Sequence, residues 1–154
     1  MNKFMKIAIE EALEGLKKNH GGPFGAVIVR NGKVIAKAHN EVIRKNDPTN
    51  HAEMMAIRKA SAKLKRFDLS DCEIYSSCEP CPMCFSAIHW AKIKKLYYGC
   101  TEKDAAQIGF DDKFIYDVIK GTSKKKQVKL KQIDRKECLK PFKKWEEKEN
   151  KVRY

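Results

Sequence analysis

Residues 23–40 read PFGAVIVRNGKVIAKAHN, and their interpretation sets the architecture of the chain. Phe24–Val29 is an apolar, β-branched run, and a second such run leads from Lys33 to Asn40. Between them, Asn31-Gly32 suits a two-residue hairpin turn, in which both positions take positive φ. The stretch therefore predicts two antiparallel strands. Toward the carboxy terminus, a polar loop around Asn46-Asp47-Pro48-Thr49 precedes a helical pattern from about Asn50 to Leu64, with Ala52, Met55, Ala56 and Ala60 on one face. EIYSS, from Glu73, is a third strand. CPMCFSAIHWAK, from Cys81, is a helix whose inner face carries Cys84, Ile88 and Ala91, and KKLYYGC, from Lys94, is a fourth strand. Toward the amino terminus, Lys3–Lys18 places Phe4, Ala8, Ala12 and Leu16 at helical spacing, and Gly21-Gly22 ends that helix. Beyond the fourth strand, FDDKFIYDVI (110–119) is helical, QVKLKQI (127–133) strand-like and PFKKWEEKENK (141–151) a closing helix.

Helix and strand alternating after an opening hairpin imply an α/β sandwich around a partly parallel sheet. With 154 residues and no repeat, linker or compositional break, the chain is expected to form one domain spanning residues 1–154. A domain of that length buries roughly two thirds of its unfolded surface.

Composition narrows the function classes. Apolar residues make up 42% and charged residues 34% of the chain, enough to build a core beneath a heavily charged surface. No apolar run approaches the roughly 20 residues of a membrane span. The opening MNKFMKIAIEEALEGL has acidic residues where a signal peptide needs an apolar centre, so a cytoplasmic location is expected. The net charge of +13 raises the question of nucleic acid, since basic surfaces attract phosphate. Only six of the 33 basic residues are arginine, however, the side chain better suited to phosphate and base recognition. Lys124–Lys126 and the KKWEEKENK run read as solvated faces, and nucleic acid is not an expected partner.

Three of the six cysteines, Cys78, Cys81 and Cys84, fall within seven residues, which in a cytosolic setting favours metal or redox chemistry over disulfides. Cys72, Cys100 and Cys138 are dispersed and read as buried small hydrophobes. His51 and Glu53 begin the second predicted helix, and Cys81 and Cys84 begin the third. Helix amino termini at one sheet edge can aim these groups at a single point, and their partial positive charge helps to keep thiolates ionised. Two thiolates and one imidazole select zinc and leave a fourth tetrahedral position for water, whose pKa zinc lowers to roughly 7. Glu53 would then accept the proton of that water and return it to the reacting base and the leaving amine, a task that a structural zinc site does not require. A closed site of three cysteines with His51, or a redox C-x-x-C pair, is the alternative reading of the same residues.

H-A-E at 51–53 followed by P-C-P-M-C at 80–84 resembles the zinc-dependent cytidine deaminase-like superfamily. The resemblance implies a three-layer α/β/α sandwich with a central mixed five-stranded sheet. It also implies zinc on His51, Cys81 and Cys84, Glu53 as proton shuttle, and no ligand role for Cys78. GGPFGAVIV, NDPTNHAE, SSCEPCPMCFSAIHWA, IGFDDKFIYD and the terminal PFKKW and RY look like the bacterial guanine deaminases across nearly the whole chain. That narrower resemblance implies hydrolysis of guanine to xanthine and ammonia. In it Phe24 forms a stacking wall, Asn40 hydrogen-bonds the base, and Asp112 contacts the purine and assists proton movement. The Ala52 N–H would stabilise developing charge on oxygen, and Trp90 would line the pocket. The resemblance further implies a homodimer that exchanges residues 135–154, with Tyr154 closing the partner's site. Phe24 could instead be core packing, and Asp111 and Asp112 could instead serve a helix amino terminus. Alternatives from the shared zinc motif are a tRNA-specific adenosine deaminase or a cytosine deaminase, and outside enzymology a zinc-stabilised RNA-binding module. The stretch TEKDAAQIGFDD is unlike the alanine- and glycine-rich segment of tRNA-editing members.

Overall fold

A computed structural model describes residues 1–123 and 128–153. Helix α1 (Lys3–Lys17) opens with the Asn2 side chain accepting the backbone N–H groups of Phe4 and Met5, which satisfies two of the donors a helix start leaves unpaired. The hairpin forms as its turn dipeptide requires. Strands β1 (Gly25–Arg30) and β2 (Lys33–His39) pair antiparallel, with Asn31 at φ 49° and Gly32 at φ 70°. The chain continues through α2 (Val42–Lys45), α3 (Ala52–Leu64), β3 (Cys72–Cys78), α4 (Pro82–Trp90) and β4 (Lys95–Cys100), then α5 (Glu102–Gln107), α6 (Lys113–Lys120) and α7 (Arg135–Glu147).

Strand order is β2-β1-β3-β4, with β1 antiparallel to both neighbours and β3 parallel to β4. Strand β1 is buried on both faces, so its run of apolar residues splits by the two-residue period. Val27 and Val29 pack with Tyr75 and Ala8 of α1 on one side. Ala26 and Ile28 pack with Ile74 on the other, against Ala52, Ala56 and Ala60 of α3 and Ile88 of α4. The layers are therefore α1, sheet, and α3 with α4, the expected sandwich. Each fully buried side chain such as Ile28 or Ile74 contributes about 1.5–3 kcal/mol by leaving water.

The pairing senses have a consequence for function. Because β1 runs against both β2 and β3, strands β2, β3 and β4 all end at the same edge of the sheet. Helix α3 starts after β2, α4 after β3 and α5 after β4, so three helix entries gather where α/β sheets place their ligands.

Three sequence expectations are corrected. Of the dispersed cysteines only Cys72 is buried, and Cys100 and Cys138 are exposed. Among the described residues the sheet has four strands, not five. Of the expected strand at 127–133, Gln127 lies outside the described residues, and 128–133 are neither strand nor helix. Val128, Leu130 and Ile133 are exposed: their alternation is strand-like, but a strand needs a partner for its backbone and a surface for its apolar face. The closing helix starts at Arg135 and carries Pro141 inside it. Helices α2 and α5, each of six residues or fewer, are additions. Among the described residues no helix is long and apolar enough to cross a membrane.

Candidate active site

His51 is the N-cap residue of α3 and Cys81 that of α4, with Pro82 at the first helical position, where its missing N–H costs nothing. Neither side chain caps its own helix, so both are free to point at each other. The ligand atoms of His51, Cys81 and Cys84 lie within 4.8 Å of one another, with Cys81 Sγ 3.5 Å from His51 Nδ1. Hydrogen bonding from Cys84 and from His51 pulls the Cys81 thiol down to about 4, against burial. The same hydrogen bond with Cys81, with burial, raises Cys84, so one proton is shared across the two sulfurs. The hydrogen bond to Cys81 raises His51. Two sulfurs and an imidazole converging in this way, one sulfur already a thiolate, fit zinc, whose binding would expel the remaining proton.

Glu53, in the first turn of α3, is 6% exposed. Its Oε1 accepts the Ser76 hydroxyl from β3 at 3.0 Å. Burial raises its pKa, with the Cys81 charge adding to the effect and the Ser76 hydrogen bond opposing it. A carboxyl raised in this way holds a proton more readily than an exposed one, which suits a group that must take and return protons.

A cavity of about 290 Å³ opens over these groups, lined by Phe24, His51, Glu53, Cys81, Phe110 and Asp112 among others. It lies at the small end of ligand pockets, about 300–1,000 Å³. The rings of Phe24 and Phe110 meet edge to face, 5.0 Å apart at 88°. Gly22 makes that contact feasible, because a Cβ there would come within 2.8 Å of Phe24 and 3.0 Å of Phe110. Asp112 Oδ1 is buried without a hydrogen-bond partner, and burial, followed by the Cys81 charge, raises its pKa. Asp112 is the N-cap residue of α6 but its side chain makes no cap hydrogen bond; Asp111 accepts the Lys113 N–H at 3.1 Å. The Tyr116 hydroxyl donates to the Pro80 carbonyl at 2.9 Å, fastening α6 to the loop that carries Cys81.

The structure thus brings His51, Glu53, Cys81, Cys84, Phe24 and Asp112 together. Asn40 is buried beside them without lining the cavity. Its Oδ1 accepts the Val42 N–H at 3.1 Å, and its backbone N–H donates to the Phe24 carbonyl at 3.0 Å. Ala52 is fully buried at the first position of α3. Trp90 is 67% exposed and outside the cavity lining. It stands two residues, or about 200° of helix, from Ile88 of the inner face. Tyr154 lies outside the described residues. Ser76 and Phe110 carry no motif signal of their own, and sequence reasoning missed both; alternation along β3 could have turned Ser76 inward.

A half-buried His–Cys–Cys group beside a buried carboxylate, at the strand ends of an α/β sandwich, defines the class. The chain belongs to the cytidine and deoxycytidylate deaminase family, whose zinc-binding-region model matches residues 1–100. It is 47% identical to the guanine deaminase of Bacillus subtilis over 151 residues, 98% of this chain and 97% of that one. The solved structure of a B. subtilis guanine deaminase superposes with a TM-score of 0.93, covering 100% of this chain and 99% of that one. A solved guanine deaminase from Nitrosomonas europaea matches at 34% identity and TM-score 0.68, covering 71% of this chain and 63% of that one. A tRNA-specific adenosine deaminase from Aquifex aeolicus is 42% identical over 100 residues, 65% of this chain and 66% of that one.

Proposed function

We propose that the chain is a guanine deaminase, a zinc-dependent hydrolase converting guanine and water to xanthine and ammonia. One observation carries the reading. The family match ends at residue 100, yet Phe110 and Asp112, which complete the cavity, lie beyond it. The likeness to the B. subtilis guanine deaminase covers 98% of the chain and so extends through them.

His51, Cys81 and Cys84 would hold zinc, whose Lewis acidity makes a water molecule nucleophilic near neutral pH. Glu53, held by the Ser76 hydroxyl, would pass one proton of the attacking water to the ring nitrogen and the second, from the hydroxyl added at C2, to the amine, whose bond to C2 breaks as ammonia leaves. The purine lies against Phe24 and Phe110, and Asp112 Oδ1 accepts from a base N–H group, the partner it lacks within the chain. Asn40, buried outside the cavity lining, would reach the base edge by turning its amide from the Val42 N–H that its Oδ1 accepts. The Ala52 N–H, at the first position of α3, supplies a donor for the oxygen on which charge develops.

The active form is a homodimer that exchanges residues 135–154, with Tyr154 closing the neighbouring site and excluding polynucleotides. The exposure of α7, which buries none of its residues within its own chain, supports that reading. The cytoplasm, whose reducing conditions keep thiolates available, suits a protein whose six cysteines are all free.

The test is to offer the zinc-loaded protein guanine, adenine, cytosine, their nucleosides and tRNA in parallel. Xanthine and ammonia from guanine are expected. Inosine formed in tRNA, with guanine untouched, would transfer the site to adenosine editing and make the +13 charge part of substrate binding.

A further inference from the structure

The described residues hold a second set of converging metal-ligand atoms, used by none of the chemistry above. His20 Nδ1, His39 Nε2 and a Glu41 carboxylate oxygen lie within 4.8 Å of one another. His20 follows α1, while His39 ends β2 and Glu41 precedes α2, so two segments distant in sequence supply them. None lines the zinc-site cavity. His20 Nδ1 is 2.8 Å from His39 Nε2, and His39 Nε2 is 3.8 Å from Glu41 Oε1.

The surroundings orient these groups. His39 Nδ1 is 3.0 Å from Glu11 Oε2, and Lys37 holds the other Glu11 oxygen at 2.9 Å. With its Nδ1 proton donated to Glu11, His39 presents Nε2 as a lone pair, the arrangement in which a carboxylate fixes a metal-binding imidazole. His20 now donates to that lone pair; moving its ring proton to Nε2 turns Nδ1 into a second ligand with no change of charge. Desolvation, with the nearby Arg44, lowers the His20 pKa, which favours the neutral ring. Glu41 is buried, and its charge is met by Arg44 Nη1 at 3.0 Å. The Arg44 side chain is 48% exposed and can turn to solvent when an ion takes over that charge.

We propose that His20, His39 and Glu41 form a second metal site, for a divalent first-row transition ion of which zinc is the probe, with Glu11 as the residue that positions His39. Two imidazoles and a carboxylate suit such an ion. An ion bound there would tie the segment after α1 to the end of β2, on either side of Gly21, where a Cβ would come within 2.1 Å of Asn40 Oδ1.

The experiment titrates the full chain, already loaded at His51, Cys81 and Cys84, with further zinc near neutral pH, followed by calorimetry and by metal analysis. One additional ion per chain is expected. His20→Ala and Glu41→Gln should each weaken it by tenfold or more, and Glu11→Gln by about 10–100-fold. Arg44→Gln should tighten it, because the competing cation is gone. Should Glu41→Gln fail to fold, His20→Asn and Arg44→Gln carry the test in opposite directions. A chain that takes up no further ion, or binds one with unchanged affinity in His20→Ala, overturns the proposal. The readout is binding, so it is independent of whether guanine is the substrate.

Discussion

Glu53 sits where a carboxyl costs most, buried and one hydrogen bond from Ser76, and the proposed proton transfer gives that cost a purpose. Glu53→Gln should fold, retain zinc and lose about 10²–10⁴-fold in turnover, checked by metal analysis and by xanthine formation on the same preparation. Ser76→Ala should lower turnover less than Glu53→Gln does, because it frees the carboxylate without removing it. Asp112→Asn should raise KM for guanine more than it disturbs folding, since Oδ1 has no partner to lose within the chain; steady-state kinetics beside thermal melting separate the two. The four residues around the metal were legible in the sequence because each pair is local: His51 with Glu53, Cys81 with Cys84. Ser76 and Phe110 were not, since each reaches the site by tertiary placement alone. Trp90 faces outward in the single chain because it stands about 200° of helix from Ile88, and the role that family resemblance gave it lies near an interface between chains.

At the scale of elements, the hairpin was readable almost to the residue, because Asn31-Gly32 fixes the turn, while the register shift between Ile28 and Val29 left no sign in the alternation. Helices α2 and α5 were not readable, being too short to show a helical period. The junction between α1 and β2 makes a pH-dependent contribution. Burial pushes Glu11 up, but its hydrogen bonds with Lys37 and His39 outweigh that and hold it below the ordinary 4.5. A carboxylate held low stabilises the fold above the unfolded pKa and loses that contribution as pH falls through its folded value. The urea midpoint should therefore drop below about pH 4.5, and more gently in Glu11→Gln than in the parent chain. In the sheet, Ile74→Ala should cost about 2–5 kcal/mol, measured by the same unfolding experiment, as Ile74 is fully buried between the sheet and the α3–α4 layer.

For the molecule as a whole, the tail poses the largest question. Phe142 and Trp145 of α7 are exposed, and the helix buries no residue. Removing residues 135–154 should barely lower the melting temperature of the remaining domain yet should abolish dimerisation and impair turnover, as light scattering and kinetics would report. The sequence carried the tail's helical character; its exchange between chains is proposed from family resemblance and from the exposure of α7. The +13 charge was the bulk feature most open to misreading, since lysine-rich solvated surface and phosphate-binding surface have the same composition and differ only in arrangement. The measurement that bears most directly on the account is ammonia release from guanine by the zinc-loaded full chain, run beside zinc-loaded Glu53→Gln. Rapid release by the parent and almost none by a variant with equal zinc content is the predicted result. Equal rates from both, or no release from guanine by either, would contradict it.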